Sequence, residues 1–535
     1  MLSASDYVIR GPKIEDKFVN KCLGEVFFEV LKTGNPDDVL LVDASYGLDK
    51  SRAELLSATI KLAHYLKEKC VKTDDVVGII STNSWKFLAS VISVAYLGCT
   101  VTVSNPNYLH DDLNHFLRTT DPKVLFVTSQ VYKIVEELLH NHRTVELIII
   151  YDSDTGSDTI WFEDILRQHV EISTFMPTRV DPETTLSHIL FSSGTTGLPK
   201  GVMHTQNGFK HCLNVLSHPQ NGALNTNHRV LIVLPLFHIF GLITAIGGIV
   251  NNAKVLLLEK FKPDTFLKVI QEYKATYLPV VPTLLQFLSK HKIVDEYDLS
   301  SLRDIFCGGA PVGEGSEKLI AKRFNNLMPR QIFGTTEAGG GVIIMPPGHR
   351  KSGSVGKVVI GCEAKILDPE SQMVLGPNKI GEICIRGPNV MKGYLKNEEA
   401  TKRDLDQDGF LHTGDLGYYD KEMYFYVVDR IKEVMKYKGF QVAPAQLENI
   451  LFQHPGVKEV SVVGKPDDRV GELPTAFVVK QEGVSVTENE LVQLVAQHLH
   501  ADKQLHGGVI FVEEIPKTQS GKVARAELRK RFQSS

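Results

Sequence analysis

The stretch 191-FSSGTTGLPKGVMHT-205 gathers four hydroxyls, on Ser192, Ser193, Thr195 and Thr196. It also holds three glycines, Gly194, Gly197 and Gly201, and one cation, Lys200. The apolar run Ile189-Leu190-Phe191 just before it reads as a buried strand. Glycines let a backbone turn sharply and approach a ligand closely. A loop rich in N–H donors and hydroxyls, with one lysine, suits a polyphosphate. Lys200 is followed by Gly201, so the spacing is not the G-x-x-x-x-G-K-[ST] of P-loop NTPases. The competing reading is a Ser/Thr/Gly-rich surface linker. The density of hydroxyl, glycine and lysine beside a strand favours the phosphate grip.

Five further stretches carry chemistry-bearing residues, each with an ordinary alternative. In 304-DIFCGGAP-311 the small residues Gly308, Gly309 and Ala310 let a planar ligand lie on the backbone, or simply make a tight turn. In 331-QIFGTTEAGGG-341 an aromatic, Phe333, between Ile332 and Gly334 can stack on a purine, and Thr336 and Glu337 follow. A carboxylate beside a polyphosphate acts through Mg²⁺, because a bare one would repel it; taken alone, Glu337 reads as a solvated loop acid. Asp415 in 412-HTGDLGYYD-420 suits a ribose diol or a turn, and Arg430 suits the same ribose, a phosphate or a surface ion pair with Asp429. His238 in 235-PLFHIFGL-242 is a wall residue or a pocket lining. Lys522 in 516-PKTQSGKVAR-525 sits on a Gly/Ser loop, where a lysine is ordinarily just solvated.

The elements that position these residues are strands and helices in alternation. Val39–Val42, 76-VVGIIS-81, 124-VLFVTS-129 and 147-LIIIYD-152 read as strands, and 52-RAELLSATIKLAHYLKEKC-70 as an amphipathic helix. The same grammar repeats in 187-SHILF-191, 230-VLIVLPL-236, 254-KVLLLE-259, 276-TYLPVV-281 and 304-DIFCGG-309, with helices 263–274 and 315–324 between them. Alternation of this kind predicts an α/β fold with mainly parallel sheets covered on both faces. Residues 351–430 turn Gly/Pro-rich with short alternating runs, a β-rich subdomain. The remainder reads as a small α+β unit with its own core. The expected division is 1–430, with subdomains of about 1–185, 186–350 and 351–430, followed by 431–535.

A chain of 535 residues exceeds one core. A net charge of −4 gives no general case for nucleic acid or anionic membranes. The seven cysteines form no C-x-x-C pair, which argues against zinc and disulfides and for a reducing compartment. No run reaches the roughly 18 apolar residues of a membrane span; 242-LITAIGGIV-250 is too short. The last residues, Gln533-Ser534-Ser535, are not the Ser-Lys-Leu peroxisomal address, which favours the cytoplasm without excluding the peroxisome; a monomer is expected.

Together the motifs SSGTTGLPKG, PLFHIFG, GGAP, FGTTE, HTGDLG with DRIKEVMKYKGFQ, and PKTQSGK resemble the adenylate-forming superfamily: acyl-CoA synthetases, 4-coumarate–CoA ligases and insect luciferases. Their order and spacing match from about residue 20 to 530. The resemblance implies a large N-terminal domain of two α/β sheets plus a β-rich subdomain, and a mobile α+β C-terminal domain hinged near Lys432. It implies ATP, Mg²⁺ and coenzyme A as cofactors, with a carboxylic acid as substrate. ATP would meet Ser192 to Thr196, Lys200, Gly309, Ala310, Ile332, Phe333, Gly334, Thr336, Asp415, Arg430, Lys432, Lys436 and Lys522. Glu337 would serve the metal, and His238, Thr336, Glu337 and Lys522 the chemistry. The acyl group would lie against His238, Phe240, Gly308, Gly339 and Gly340, and coenzyme A against Lys260, Lys438, Gly439 and Gln441.

There are departures. The family usually has Tyr where Phe333 stands; beetle luciferases usually have Ser at Gly340 and a second His or similarly polar residue at Phe237. The run Gly339-Gly340-Gly341 removes bulk from the acyl end, so a roomy pocket is expected, for an aromatic or medium-to-long acyl group. The first functional reading is an acid–thiol ligase making acyl-CoA. The alternative is a luciferase-type monooxygenase that gives the same adenylate to O₂. A catalytically dead binding protein is disfavoured by Lys200, Glu337, Asp415, Arg430 and Lys522 all being present.

Overall fold

The computed structural model describes residues 7–13, 16–154, 159–192, 198–310, 312–438, 440–467, 469–517 and 523–532, with the backbone alone at 314. An eight-stranded sheet runs Gly393–Tyr394, Lys200–Thr205, Leu186–Ser192, Thr100–Ser104, Val76–Ile80, Val124–Val127, Leu147–Ile150 and Ile160–Trp161. A nine-stranded sheet runs Lys357–Val358, Gly340–Ile344, Arg330–Thr335, Asp304–Gly308, Tyr277–Val280, Arg229–Ile232, Lys254–Leu257, Val39–Asp43 and Leu48–Ser51. Both are parallel in the middle and antiparallel at the ends carrying Lys200–Thr205 and Gly340–Ile344. Their central strands are buried on both faces, which is why they read as continuous apolar runs. The α/β architecture expected from the alternation is present.

The sheets are interleaved along the chain. Val39–Asp43 joins the sheet built mostly from residues 229–358, and Leu186–Thr205 joins the sheet built mostly from residues 76–161. No sheet boundary therefore falls at residue 185. Thr100–Ser104, a Thr/Val alternation that is buried throughout, is a central strand that the apolar-run criterion passes over.

The apolar stretch at 242–250 belongs to helix Ile239–Val250, buried at every position but Phe240. A helix apolar all round is an interior one. At about 18 Å it spans a domain layer, not a bilayer; among the described residues no helix is long and apolar enough to cross a membrane. Helix Arg52–Glu68 begins at a reciprocal cap, with Ser51 and Glu54 satisfying each other's backbone N–H.

A third sheet is antiparallel: Ile9–Arg10, Glu363–Leu367, Gly381–Arg386, Leu411–Tyr419 and Phe425–Arg430. A fourth comprises Phe440–Val442, Met435–Tyr437, Gly471–Lys480 and Val457–Asp467, with Val509–Phe511 added to it. Its own core includes Met435, Leu447, Val462, Val478 and Leu491. This terminal unit docks on the larger body through Lys290, at the end of helix Pro282–Lys290. Lys290 Nζ donates to the Phe452 and Val457 carbonyls at 2.8 and 2.7 Å and lies 3.7 Å from the Phe452 ring centre. Burial pushes its ammonium down to about 8.

The contact is therefore directional and costs desolvation. Lys290→Ala removes two charge-assisted hydrogen bonds; a loss of about 1.5 kcal/mol loosens docking about tenfold. Limited proteolysis near residues 431–445 checks this: cleavage accelerates in the variant, while the rate within residues 76–161 stays unchanged.

Candidate active site

Strand Lys200–Thr205 returns antiparallel along Leu186–Ser192, and on its other side pairs with Gly393–Tyr394. The period of two places Lys200, Val202 and His204 on one face, and Tyr394, directly opposite Val202, shares it. Lys200 Nζ lies 3.6 Å from the Tyr394 ring centre and 3.2 Å from Asp404 Oδ2. The Tyr394 hydroxyl lies 3.0 Å from Glu337 Oε1 and 2.9 Å from Asp404 Oδ2. Burial and the two carboxylates hold the Tyr394 phenol far above its ordinary pKa, so it stays protonated and donates. Burial works to raise the Asp404 pKa, but bonds from Arg403, Tyr394 and Lys200 win and leave it lowered.

The turn carrying Thr336 and Glu337 is pinned from three sides. His204 is buried and pushed down to about 4, hence neutral, and its Nε2–H donates to the Thr336 carbonyl at 2.8 Å. Asn389 Nδ2 donates to the Ala338 carbonyl at 2.6 Å, and the Met391 N–H to the Glu337 carbonyl at 2.8 Å. Ser192 Oγ, and Ser104 Oγ at the carboxyl end of the adjacent strand, are buried with no hydrogen-bond partner among the described residues. Ser193, Gly194, Thr195, Thr196, Gly439 and Lys522 lie outside the described residues.

The strand bearing Ile332, Phe333 and Gly334 runs between those bearing Gly308 and Gly340. Gly309 and Ala310 are exposed at the end of the neighbouring strand. Phe333 is only 8% exposed and packs into the main core, so little of its ring is open for stacking, while Ile332 is half-buried. His238 caps helix Ile239–Val250 and stacks obliquely on Phe237 at 4.7 Å. A Cβ at Gly340 would sit in ordinary van der Waals contact with Ile239 and Ile243, both at 3.8 Å, although its φ of +125° favours glycine. A Cβ at Gly339 would strike the Asn389 carbonyl at 2.7 Å, and one at Gly341 the Ile332 side chain at 2.1 Å. Of the three glycines, only Gly340 has room for even a Cβ, so the roomy pocket expected of the run is not shown by its surroundings. Gly308 abuts Ile332 and Phe240, which places Phe240 beside the same strands.

Asp415 and Arg430 are cross-strand partners, with Arg430 Nε 3.4 Å from Asp415 Oδ1. The Asp415 turn is set by Glu382: its Oε1 accepts from the Gly414 N–H at 2.9 Å, and its Oε2 lies 2.9 Å from His412 Nδ1. Lys432, Lys436, Lys438 and Gln441 are all exposed, as is Lys260. The hairpin Met435–Tyr437/Phe440–Val442 buries Met435, Tyr437 and Val442 in its unit's core and turns Lys436, Lys438 and Gln441 to solvent. Tyr394, Asp404, Arg403, His204, Asn389 and Glu382 are absent from the sequence-based site. His204 alone had a legible signal, its position four residues beyond Lys200 on one strand face.

The model of the AMP-binding enzyme family matches residues 28–395, and that of the AMP-binding enzyme C-terminal domain residues 446–522. A luciferin 4-monooxygenase of Nipponoluciola cruciata is 38% identical over 535 residues, 98% of this chain and 96% of that one. The 4-coumarate–CoA ligase 1 of Petroselinum crispum is 35% identical over 543 residues, 99% and 97% of the two chains. Among solved structures, ATP-bound MatB of Rhodopseudomonas palustris superposes with a TM-score of 0.86 at 25% identity, covering 95% of this chain and 99% of that one. The chain belongs to the AMP-binding enzyme family, within the adenylate-forming superfamily.

The His412–Glu382 pair gives a pH signature. Its bond to Glu382 raises the His412 pKa above its ordinary value. The stabilisation is full below the unfolded-state value of about 6.5 and is lost as pH rises through the higher folded value. Thermal melts of wild type and His412→Gln therefore differ most below the unfolded-state value and converge as pH rises through the higher folded-state value.

Proposed function

We propose that the chain activates a carboxylic acid with ATP, releasing pyrophosphate, and then transfers the acyl group from the adenylate to coenzyme A. The observation that carries this reading is the convergence of Lys200, from the hydroxyl-rich segment, with Glu337, from the FGTTE segment, around one phenol, that of Tyr394. In the first step a carboxylate oxygen attacks the α-phosphorus, the bond from that phosphorus to the bridging oxygen breaks, and pyrophosphate leaves. The acid is ionised near neutral pH, so no general base is required. Catalysis is positioning plus charge neutralisation.

In this reading Lys200 and the hydroxyls of residues 192–196 take the β- and γ-phosphates. Asp415 and Arg430 take the ribose, the backbone at Gly309–Ala310 and Ile332–Gly334 borders the base, and Lys522 bridges the substrate carboxylate and the phosphate. Glu337, with Thr336, fits Mg²⁺, since hard oxygen donors beside a phosphate-binding lysine suit a hard cation; bound there, the ion neutralises phosphate charge. The division at residue 430 belongs to this proposal. Residues 431–535 turn about a hinge near Lys432, and the exposed hairpin with Lys436, Lys438, Gly439 and Gln441 comes to face the site and Lys260. The coenzyme A thiol attacks the acyl carbonyl, its proton passes to solvent, and AMP departs with the electrons of the broken C–O bond. The apolar lining at Gly340, from Ile239 and Ile243, suits an aromatic or medium-to-long acyl group.

The luciferin 4-monooxygenase relative supports a second reading, in which O₂ consumes the same adenylate. A panel of aromatic and medium-to-long acids with ATP and Mg²⁺ tests the shared half: one or more releases pyrophosphate, and Lys200→Ala and Lys522→Ala each lower the rate about a hundredfold. No release with any acid rejects both readings. Adding coenzyme A yields a thioester under the ligase reading, whereas CO₂ and light on adding O₂ alone support the oxygenase.

A further inference from the structure

Lys200 is held by residues that belong to none of the nucleotide motifs. Asp404 lies in helix Glu398–Asp404, which follows strand Gly393–Tyr394 by a short turn. One of its oxygens, Oδ2, accepts from Lys200 Nζ at 3.2 Å and from the Tyr394 hydroxyl at 2.9 Å. Arg403 closes the group from outside: its Nε donates to Asp404 Oδ1 at 2.7 Å and its second nitrogen to Oδ2 at 3.1 Å. The Lys200 and Asp404 side chains are 24% and 21% exposed, so the pair is only partly screened by water.

Two features make this a reversible holder. The Tyr394 hydroxyl has one proton and two carboxylate oxygens within reach, on Glu337 and Asp404. One O–H cannot serve both at full strength, so the cluster draws in a further cation, and Lys200 supplies it from the ring face. When Lys200 leaves, Asp404 keeps both bonds from Arg403 and its share of the Tyr394 proton. No carboxylate is then stranded without partners, which would otherwise make departure prohibitive.

We propose that Asp404, with Tyr394, is a positioning pair that competes with phosphate for Lys200, weakening its grip on ATP and recapturing it as pyrophosphate leaves. The inference rests on the reading that Lys200 binds the β- and γ-phosphates. Asp404 touches no reacting atom; it acts through Lys200. Removing its charge frees the lysine, so phosphate ligands bind more tightly and product leaves more slowly. The effect on KM and on turnover is then opposite in sign to that of damage to the site.

Asp404→Asn tests this with pyrophosphate as the probe, its binding measured by calorimetry on the full chain, alongside steady-state and single-turnover kinetics. Pyrophosphate affinity rises about fivefold and KM for ATP falls by a similar factor. Multiple-turnover kcat drops, while the single-turnover rate of adenylate formation is kept. Asp404→Glu restores wild-type values. In a Lys200→Gln background, Asp404→Asn changes pyrophosphate affinity no further. Unchanged or weakened pyrophosphate binding in Asp404→Asn overturns the inference, as does an equal gain in the Lys200→Gln background. If Lys200→Gln alone leaves pyrophosphate binding intact, the role given to Lys200 in the proposed function fails instead.

Discussion

Strand Lys200–Thr205 is hydrogen-bonded along both edges, to Leu186–Ser192 and to Gly393–Tyr394. That double pairing decides where the chemistry sits. A one-residue slip would turn Lys200 and His204 to the opposite face. His204 would then lose the Thr336 carbonyl, and Lys200 would leave the Tyr394 ring. The cost of that slip includes a buried imidazole and a buried carbonyl left unpaired, and such groups are expensive in a dry interior. The register is thus enforced by the same contacts that tie the eight-stranded sheet to the turn bearing Glu337 on the nine-stranded one.

A second constraint is the separation of a large body from a smaller unit with its own core. The residues proposed to meet the nucleotide stand on or beside strands fixed by sheet pairing. The lysines of the 435–442 hairpin are exposed on a unit with its own core, docked through few directional contacts such as Lys290 on the Phe452 and Val457 carbonyls. Hydrogen bonds from Lys290 to backbone carbonyls give the docking a definite geometry. Asp415 and Arg430, on paired strands just before the junction, are held in register by the third sheet, so the proposed turn of the later segment leaves their relation intact.

The motif segments around Lys200, Glu337, Asp415 and His238 were legible because unusual residue types crowd together within a few positions. The α/β class was legible because buried parallel strands must be continuous apolar runs. Thr100–Ser104 escaped because burial alone does not require apolar side chains: Thr102 satisfies its hydroxyl on the Ile189 carbonyl. The interleaving of the two large sheets escaped because strand order is set by long-range pairing. Tyr394 and Asp404 escaped for the same reason. Each lies some two hundred residues from Lys200, in a segment whose local pattern states only that a short strand precedes a helix. The glycine run at 339–341 implies reduced bulk by composition, yet a Cβ at two of its three positions would strike Asn389 and Ile332.

The central claim is that the acid attacks the α-phosphorus of ATP. Isotope transfer tests it most directly: an active acid carrying heavy oxygen in its carboxylate is turned over with ATP and coenzyme A, and the products are weighed by mass spectrometry. Attack at the α-phosphorus leaves one heavy oxygen in AMP and none in pyrophosphate. Label appearing in inorganic phosphate, with ADP as the nucleotide product, would mean attack at the γ-phosphorus and would contradict the account.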